Sequence, residues 1–304
     1  ANGKTETVEA EATLATLTPR YTEEAVNFIT ASKDSPFFLY MPHTYPHIPL
    51  DASPRFKGKS RQGIYGDVVE ELDWSVGEIL SALKKNNLEK NTLVIFSSDN
   101  GPWFQGSPGK FRGRKGSTWE GGMRVPAIAY MPGRLAKGKT VQGLTSTLDM
   151  LPTISAITGA SLPNLPLDGI NILSLLEGRT QELDREVFLY FDGWNIQCAR
   201  WKQWKLHLSR YNSYVYGPAP ASGRQNFMLS PPELYNVSDD VDESYDVAAE
   251  NPKIVKEIQD KVSRLLGGFP GPVRVAWNDS YQRKTGRPHE PGRLPIGRPG
   301  DPNK

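Results

Sequence analysis

A long amphipathic helix followed at once by a short apolar segment sets the fold class of this chain. Apolar residues recur at helical spacing over 63–86. The next apolar run, 92–97, predicts a buried strand that leads directly into Asp99, Asn100 and Gly101. Helices that alternate with buried strands are typical of α/β proteins, which place polar sites at the carboxyl ends of their strands.

Further elements extend this α/β pattern to about residue 180. Helical spacing predicts one helix over 18–33 and a shorter one over 148–158. Two apolar runs, 36–41 and 125–131, predict strands, the first of them buried on both faces. We therefore predict an α/β fold for this part of the chain.

The pattern changes after residue 185. Short aromatic-rich runs over 187–191, 196–201 and 204–208, with 234–237 as a candidate fourth, predict a small antiparallel sheet. Asn251 and Pro252 begin a last helix, which Gly267 ends. We therefore predict a large α/β portion, a smaller α+β subdomain and a tail rich in Pro, Gly and Arg, over 1–185, 186–277 and 278–304, respectively.

Charge and composition exclude several classes of protein. Lys and Arg number 36 against 34 Asp and Glu, so no charge excess calls for nucleic acid or an anionic membrane as a partner. No run approaches the roughly 18 apolar residues of a membrane span. The single cysteine, Cys198, cannot form an internal disulfide, and without further thiols it cannot form a zinc ribbon.

Three polar clusters follow or connect the predicted strands. Asp99 and Asn100 offer hard oxygen atoms of the kind that calcium prefers, although calcium needs about six to eight ligands. The same pair equally suits an Asx turn. His43 and His47 lie in a proline-stiffened loop after the first strand, whereas His207 and His289 are interpreted as packing or surface residues.

The third cluster is a cationic loop flanked by glycines. Lys110, Arg112, Arg114 and Lys115 precede Gly116, and such a loop suits a phosphate or a sulfate ester. A solvated basic loop is the alternative. Together, the three clusters favour metal-assisted chemistry on an anionic ester.

Several segments resemble the C-terminal half of formylglycine-dependent sulfatases of the arylsulfatase type, which belong to the alkaline phosphatase superfamily. The resemblance covers about residues 15 to 265. It implies an alkaline phosphatase-like fold, in which a mixed β-sheet is sandwiched by helices and a smaller unit with an antiparallel sheet and a helix follows. Its most specific part is the string Ser-Asp-Asn-Gly followed about fifteen residues later by Lys-Gly-x-Thr-x-Glu-Gly-Gly-x-Arg-x-Pro. The segments that carry it are PFFLYMPHTYPHIPL, GIYGDVVEELDWSVGEILSALKKNNLEKNTLVIFSSDNGP, RGRKGSTWEGGMRVPAIAYMPG, WKQWKLHL and PPELYNVSDDVDESYDVAAENPKIV.

The resemblance implies a role for each candidate residue. Asp99 and Asn100 would be two calcium ligands, and Lys115 would bind the sulfate and its bridging oxygen. His47 would contact the sulfate ester and protonate the departing oxygen. In that family calcium polarises the sulfate while a formylglycine hydrate attacks sulfur. His43 and Arg114 are kept as possible substrate contacts.

The chain also departs from the family pattern. The formylglycine motif, Cys or Ser followed by x-Pro-x-Arg, is absent, and Cys198 is followed by Ala199 and Arg200. The acidic pair that completes the calcium site in the family is absent too. We therefore predict that an N-terminal sulfatase portion, carried on a separate chain, supplies the nucleophile. Without it, this chain is predicted to leave sheet edges and apolar helix faces uncovered.

Three functions remain open on the sequence. The first is hydrolysis of a sulfated small molecule or carbohydrate, with the loop 211–224 as a candidate sugar-binding segment. The others are a phosphodiesterase or phosphonate hydrolase of the same superfamily, and a binding module without catalysis. The resemblance implies a periplasmic, secreted or lysosomal location.

Overall fold

The computed structural model describes residues 12–283. The described chain divides into two compact units. The first unit contains 12–95 and 129–137, and the second contains 96–128 and 138–283. None of the helices in the described part combines the length and apolar character that a membrane crossing requires. The three-part division of the chain over 1–185, 186–277 and 278–304 stays a prediction.

Two of the helices predicted from the sequence form the main helices of the first unit, α1 (Leu17–Ala31) and α2 (Gly63–Lys85). Their packing buries Ile29 against Leu83. A buried hydrogen bond of 2.6 Å from Thr22 Oγ1 to Ser75 Oγ joins the two helices. Both predicted helices are confirmed, because each one has a continuous apolar face to bury.

The segment 36–41 corrects a prediction. It is not a strand in the structure, and Phe38 and Tyr40 are 72% and 76% exposed. An apolar run becomes a strand only where a neighbouring backbone accepts its hydrogen bonds, and no strand pairs with it among residues 12–283. These exposed apolar side chains lie outside the sheet edges and helix faces that the sequence predicts to be uncovered.

Strands β1 (Val94–Ser97) and β2 (Ala127–Tyr130) pair with each other in a two-stranded sheet. Both predicted strands are confirmed, each shorter than its apolar run. The expectation that β1 is a buried strand is wrong, since Phe96 is 37% exposed. On β2, Ile128 is 61% exposed. Apolar side chains of both strands are therefore exposed.

Three short helices belong to the second unit: α3 (Glu120–Met123), α4 (Met150–Thr158) and α5 (Leu173–Leu176). The helix predicted over 148–158 is confirmed as α4, with its first turn in the 3-10 conformation. Asp149 is the last residue of that 3-10 turn. Its two carboxylate oxygens both accept hydrogen bonds of 2.7 Å from Arg185 Nη2, which ties the turn to Arg185.

The antiparallel sheet of the second unit is confirmed. Its strand order is β3 (Phe188–Asp192), β4 (Asn195–Trp201), β5 (Trp204–Tyr211) and β6 (Asn226–Asn236). The candidate fourth strand is much longer than 234–237. Cys198 lies opposite His207 across β4 and β5, and Leu206 lies opposite Leu234 across β5 and β6.

Two helices cover this sheet, α6 (Pro252–Leu266) and α7 (Gly271–Gln282). Ile258 and Val262 of α6 and Val273 of α7 are buried in one core with the strands. The predicted start and end of α6 are confirmed. The predicted tail from residue 278 begins inside α7, which continues to Gln282. The tail beyond 283, with His289, lies outside the described residues.

Candidate active site

The polar turn after β1 is partly open to solvent. Asp99 is exposed and Asn100 is half-buried. Ser98 Oγ lies 3.1 Å from the Asn100 carbonyl oxygen, to which it donates, and 3.4 Å from Asp99 Oδ1. The turn therefore has local hydrogen bonds of the Asx and Ser type, while its carboxylate keeps oxygen lone pairs available.

Glycine–glycine contacts hold this turn against α3. The Gly101 amide donates to the Gly122 carbonyl oxygen at 2.9 Å. A Cβ atom at Gly101 would lie 2.0 Å from the carbonyl oxygen of Gly121, so no side chain fits there. Close backbone approach of this kind is a use that only glycine serves. It fixes Asp99 and Asn100 beside the segment that leads into α3.

Lys115 is fixed to the same turn through its backbone. Its amide donates to the Pro102 carbonyl oxygen at 3.1 Å, and its own carbonyl oxygen accepts from Tyr214 Oη at 3.1 Å. The side chain is half-buried, and across residues 12–283 its ammonium makes no hydrogen bond or ion pair. The structure thus brings Asp99, Asn100 and Lys115 onto one tightly connected loop region.

The other cations of the predicted anion-binding loop are used differently. Arg112 donates to the Glu243 carbonyl oxygen at 3.1 Å and stacks 3.6 Å above the Trp119 ring. Arg114 donates from NH1 to the carbonyl oxygens of Trp103 and Gly106, at 3.0 and 2.6 Å. Both guanidinium groups thus hold loop backbone in place, and a substrate contact by Arg114 stays a prediction.

Beneath the loop lies a set of buried charges, which we call the ionic cluster: Glu120, Arg200, Lys205 and Glu243. Lys205 is fully buried, and its ammonium lies 3.0 Å from both Glu120 Oε1 and Glu243 Oε1. It also donates to the Thr118 carbonyl oxygen at 2.7 Å. Arg200 NH1 lies 3.2 Å from Glu120 Oε2. Each buried charge has an opposite partner, as burial requires.

The ionic cluster shifts the ionisation of its members and clamps the loop. Burial raises the pKa of Glu243, but the neighbouring Lys205 and His207 outweigh it and lower that pKa to about 2. Burial lowers the pKa of Lys205, but the two glutamates outweigh it and raise that pKa well above its usual range. Glu243 Oε2 also accepts the Glu120 amide at 2.7 Å.

Sequence reasoning missed the role of the ionic cluster. His207 is buried, as predicted, with its Nε2 2.8 Å from Glu243 Oε1 and its ring 4.2 Å from that of Trp119. The available signal was the alternation along β5, where Lys205 and His207 share one face of the strand. Cys198 is fully buried, consistent with its exclusion as a nucleophile.

The two predicted histidines belong to the first unit, whereas Asp99, Asn100, Arg114 and Lys115 belong to the second. His47 is exposed, and its Nδ1 lies 2.6 Å from the Ile48 carbonyl oxygen. His43 is half-buried, and burial lowers its pKa, which favours the neutral imidazole. Its Nδ1 atom is buried without a hydrogen-bond partner. The roles of both histidines stay predictions.

The donor set for a metal is partial. Residues 12–283 contain no group of three or more His, Cys, Asp or Glu side chains placed to hold a metal. Asp99 and Asn100 offer the oxygen chemistry that calcium prefers, in an accessible turn, but they supply fewer than the six to eight oxygens of a complete site. They therefore fit part of a calcium site.

Comparison with known proteins identifies the family. The family model for sulfatases matches residues 5–160, and that for the C-terminal region of aryl-sulfatase matches 183–290. Arylsulfatase H of dog (Canis lupus familiaris) is 36% identical over 80% of this chain and 48% of its own length. Mouse (Mus musculus) N-acetylgalactosamine-6-sulfatase is 42% identical over 64% of this chain and 39% of its own length.

A solved structure supports the same assignment. A sulfatase of Pseudoalteromonas sp. superposes with a TM-score of 0.79 at 25% identity, covering 91% of this chain and 57% of its own. Such neighbours have the alkaline phosphatase-like fold, which confirms the predicted fold class. The chain spans about half the length of the relatives it matches. On the strength of these matches, the chain belongs to the sulfatase family.

Proposed function

We propose that this chain forms part of a sulfatase that hydrolyses sulfate esters. The observation that carries the proposal is the loop region in which Asp99, Asn100 and Lys115 are fixed by backbone contacts while the Lys115 ammonium has no partner in the described chain. A rigidly held cation beside hard oxygen ligands suits the developing negative charge of a sulfate ester in its transition state.

Each residue has a distinct proposed task. Lys115 binds the sulfate and the bridging oxygen, where fixed positive charge stabilises the departing oxygen. His47 protonates that oxygen, since an imidazole can deliver a proton near neutral pH. Arg114 and His43 are proposed as substrate contacts. Asp99 and Asn100 hold calcium, which, when bound, polarises the sulfate oxygens.

The nucleophile is proposed to be a formylglycine outside these 304 residues. The sequence has no Cys-x-Pro-x-Arg or Ser-x-Pro-x-Arg motif, and the calcium donor set within the described residues is partial. Exposed apolar side chains occur in each unit, Phe38 in the first and Phe96 and Ile128 in the second, and they are expected to contact that remaining sulfatase portion. Periplasmic, secreted or lysosomal placement is proposed with it, on the family alone.

The test uses the complete enzyme and pairs two lysines of one loop. Lys115→Ala is expected to lower kcat/KM for 4-nitrophenyl sulfate by about a hundredfold or more, because one fixed charge in the transition state is lost. Lys110→Ala is the control: its side chain is exposed, and it is expected to change the rate less than about twofold. Equal losses of kcat/KM in the two variants would contradict the assignment of Lys115 to sulfate binding.

Further outcomes separate the alternatives. Turnover of a phosphate diester without turnover of any sulfate ester would favour a phosphodiesterase. Binding of sulfate esters without turnover by the complete protein would favour a binding module. Removal of calcium with a chelator is expected to abolish activity, and Asp99→Asn is expected to raise the calcium concentration needed for half-maximal activity.

Intact-mass spectrometry tests the proposed second portion. Native spectra of the purified protein are expected to show a second polypeptide bound to the 33.8 kDa chain. Its Cys-x-Pro-x-Arg peptide should be lighter by the mass difference of formylglycine formation. An active protein that contains only these 304 residues would contradict this part of the proposal.

A further inference from the structure

His47 lies in a loop of the first unit that leads into α2. The part of that loop around it is the segment 45–53, which we call the histidine loop. His47 is exposed, and its amide donates to the Thr44 carbonyl oxygen at 3.3 Å. An exposed side chain on a loop keeps its position only where the backbone on either side of it is held. The contacts at the two ends of the histidine loop therefore decide how firmly His47 is placed.

Tyr45 holds the first end of the histidine loop. Its ring is buried in one cluster with Val68 and Leu72 of α2 and with Ala52 from the other end of the loop. Its hydroxyl donates to the Leu14 carbonyl oxygen at 2.9 Å. Apolar packing and a neutral hydrogen bond thus fix this end against α2.

Glu71 holds the second end of the histidine loop. It is 1% exposed, and its Oε2 accepts the Ser53 amide at 3.1 Å. Positions 68, 71 and 72 lie on one face of a helix, so Glu71 is on the face of α2 that packs against Tyr45. Within residues 12–283 the other oxygen, Oε1, is buried without a hydrogen-bond partner. The carboxylate thus closes the loop through a single amide.

A second buried carboxylate of α2 holds the residues that follow the histidine loop. Asp67 is 2% exposed and accepts the amides of Gly58, Lys59 and Ser60 at 2.7, 3.0 and 2.7 Å. It lies one helical turn before Glu71. The two carboxylates therefore hold different segments, and substitutions at the two positions separate a change at the histidine loop from a general loosening near the start of α2.

The ring of His47 is tied to the backbone of its own loop. Its Nδ1 lies 2.6 Å from the Ile48 carbonyl oxygen. Because a carbonyl oxygen only accepts hydrogen bonds, this contact assigns a proton to Nδ1 and leaves Nε2 as the nitrogen that exchanges a proton with substrate. The ring and its acceptor belong to adjacent residues, so a change in the conformation of the histidine loop moves Nε2.

We propose that Glu71 is a positioning residue for the proton transfer assigned to His47. By holding the Ser53 amide, it keeps the histidine loop closed between two fixed ends and so keeps Nε2 in place to protonate the departing oxygen. A displacement of about 1 Å can cost a catalytic contact as much as a hundredfold in rate. The inference rests on the proposed function, since it takes His47 as the proton donor.

The experiment measures how the complete enzyme depends on the leaving group, as the ratio of kcat/KM for phenyl sulfate to that for 4-nitrophenyl sulfate. Phenolate is the more basic leaving group and needs the proton, whereas 4-nitrophenolate departs more readily without it. Glu71→Leu is expected to lower this ratio about tenfold. Glu71→Gln keeps an oxygen acceptor for the Ser53 amide and should restore the ratio.

Two controls separate positioning from a loss of structure. Asp67→Asn removes one carboxylate oxygen that accepts loop amides outside the histidine loop, and it is expected to change both rates in the same proportion. In a His47→Ala background, Glu71→Leu should leave the ratio unchanged, since the proton donor is already gone. An equal fall of the ratio in Asp67→Asn, or a further fall in the His47→Ala background, would overturn the inference.

Failure of the inference and failure of the proposed function give different results. If His47→Ala leaves the ratio at its wild-type value, the proton-donor role is wrong and the inference falls with it. If His47→Ala lowers the ratio and Glu71→Leu does not, only the inference is overturned. If the wild-type enzyme turns over no sulfate ester, amide hydrogen exchange decides. Glu71→Leu is then expected to speed exchange over 45–53 about tenfold more than over 58–60, and unchanged exchange overturns the anchoring by Glu71.

Discussion

Two charged residues of the second unit, Lys115 and Glu120, are five positions apart in the chain and have opposite surroundings. Glu120 is 2% exposed and is paired with both Lys205 and Arg200. Lys115, five residues earlier in the chain, is half-buried and has no charged partner in the described chain. Glu120 thus belongs to the closed ionic cluster, whereas the Lys115 ammonium has no hydrogen-bond or ion-pair partner among residues 12–283.

The difference shows that the charges that fix the loop backbone are separate from the Lys115 charge, which has no partner in the described chain. The ionic cluster fixes the backbone of the loop, through Lys205 to the Thr118 carbonyl oxygen and through Glu243 to the Glu120 amide. Since these contacts hold the loop without using the Lys115 ammonium, that group keeps its charge available. Preorganisation of this kind makes a fixed charge more effective toward a transition state than a mobile one.

Removing the centre of the ionic cluster has the largest expected effect. Lys205→Met leaves Glu120 and Glu243 buried without their common partner, so the free energy of unfolding is expected to fall by about 3–5 kcal/mol. Urea unfolding of the full chain, followed by circular dichroism, measures this loss.

A charge-balanced variant is the control for that prediction. Glu243→Gln, added to Lys205→Met, removes one negative charge for the positive charge lost and leaves Glu120 paired with Arg200, so it is expected to recover part of the stability. If Lys205→Met alone lowers the free energy of unfolding by less than about 1 kcal/mol, the ionic cluster does not hold the loop. The proposed difference between the ionic cluster and Lys115 would then be wrong.

Gly101→Ala tests the contact that joins the Asp99 turn to α3. The added Cβ would meet the Gly121 carbonyl oxygen, so the backbone must move, and about 1–3 kcal/mol of stability should be lost. Sulfatase activity should fall with it, because Asp99 and Lys115 shift relative to each other. Gly77→Ala on α2 is the control: nothing lies within 4 Å of its Cβ position, and stability should rise by about 0.5–1 kcal/mol.

Stability at acid pH depends on Glu243. Its folded pKa, about 2, lies below the ordinary value of 4.5, so its contribution is present above pH 4.5 and is lost as the pH falls toward 2. The difference in unfolding free energy between wild type and Glu243→Gln is therefore expected to shrink by about 2 kcal/mol between pH 6 and pH 3. A difference independent of pH would show that Glu243 is not paired in the folded state.

Local patterns made part of this architecture predictable. The apolar stripe of α2 and the strand that ends at Asp99 are set by residues adjacent in sequence, and the structure confirms both. Pro252 and Gly267 likewise mark the limits of α6. Asp99, Asn100 and Lys115 are predicted as site residues for the same reason, since each belongs to a short motif of polar side chains and glycines, and their roles stay predictions.

The features that the sequence did not predict depend on contacts between residues far apart in the chain. The apolar run 36–41 predicts a strand, but pairing depends on backbone elsewhere, and none pairs with it in the described chain. Lys205 and Glu243 are separated by 38 positions, so neither residue alone indicates a buried pair. The helix α7 was missed because Gly271 and Pro272 indicate a loop, whereas here they form its first turn.

The smallest effect on stability is expected for an exposed ion pair, which tests whether burial or distance separates the two kinds of charge. Lys256 Nζ lies 2.7 Å from Asp260 Oδ2 on α6, closer than any ion pair that Lys205 makes, yet the two side chains are 74% and 54% exposed. Water screens such a pair, so Lys256→Ala is expected to change the free energy of unfolding by no more than about 0.5 kcal/mol. The same urea titration used for Lys205→Met measures it. A loss comparable to that of Lys205→Met would mean that burial is not what separates the two kinds of charge, whereas a tenfold smaller loss would show that a short distance alone does not make a charge pair structural.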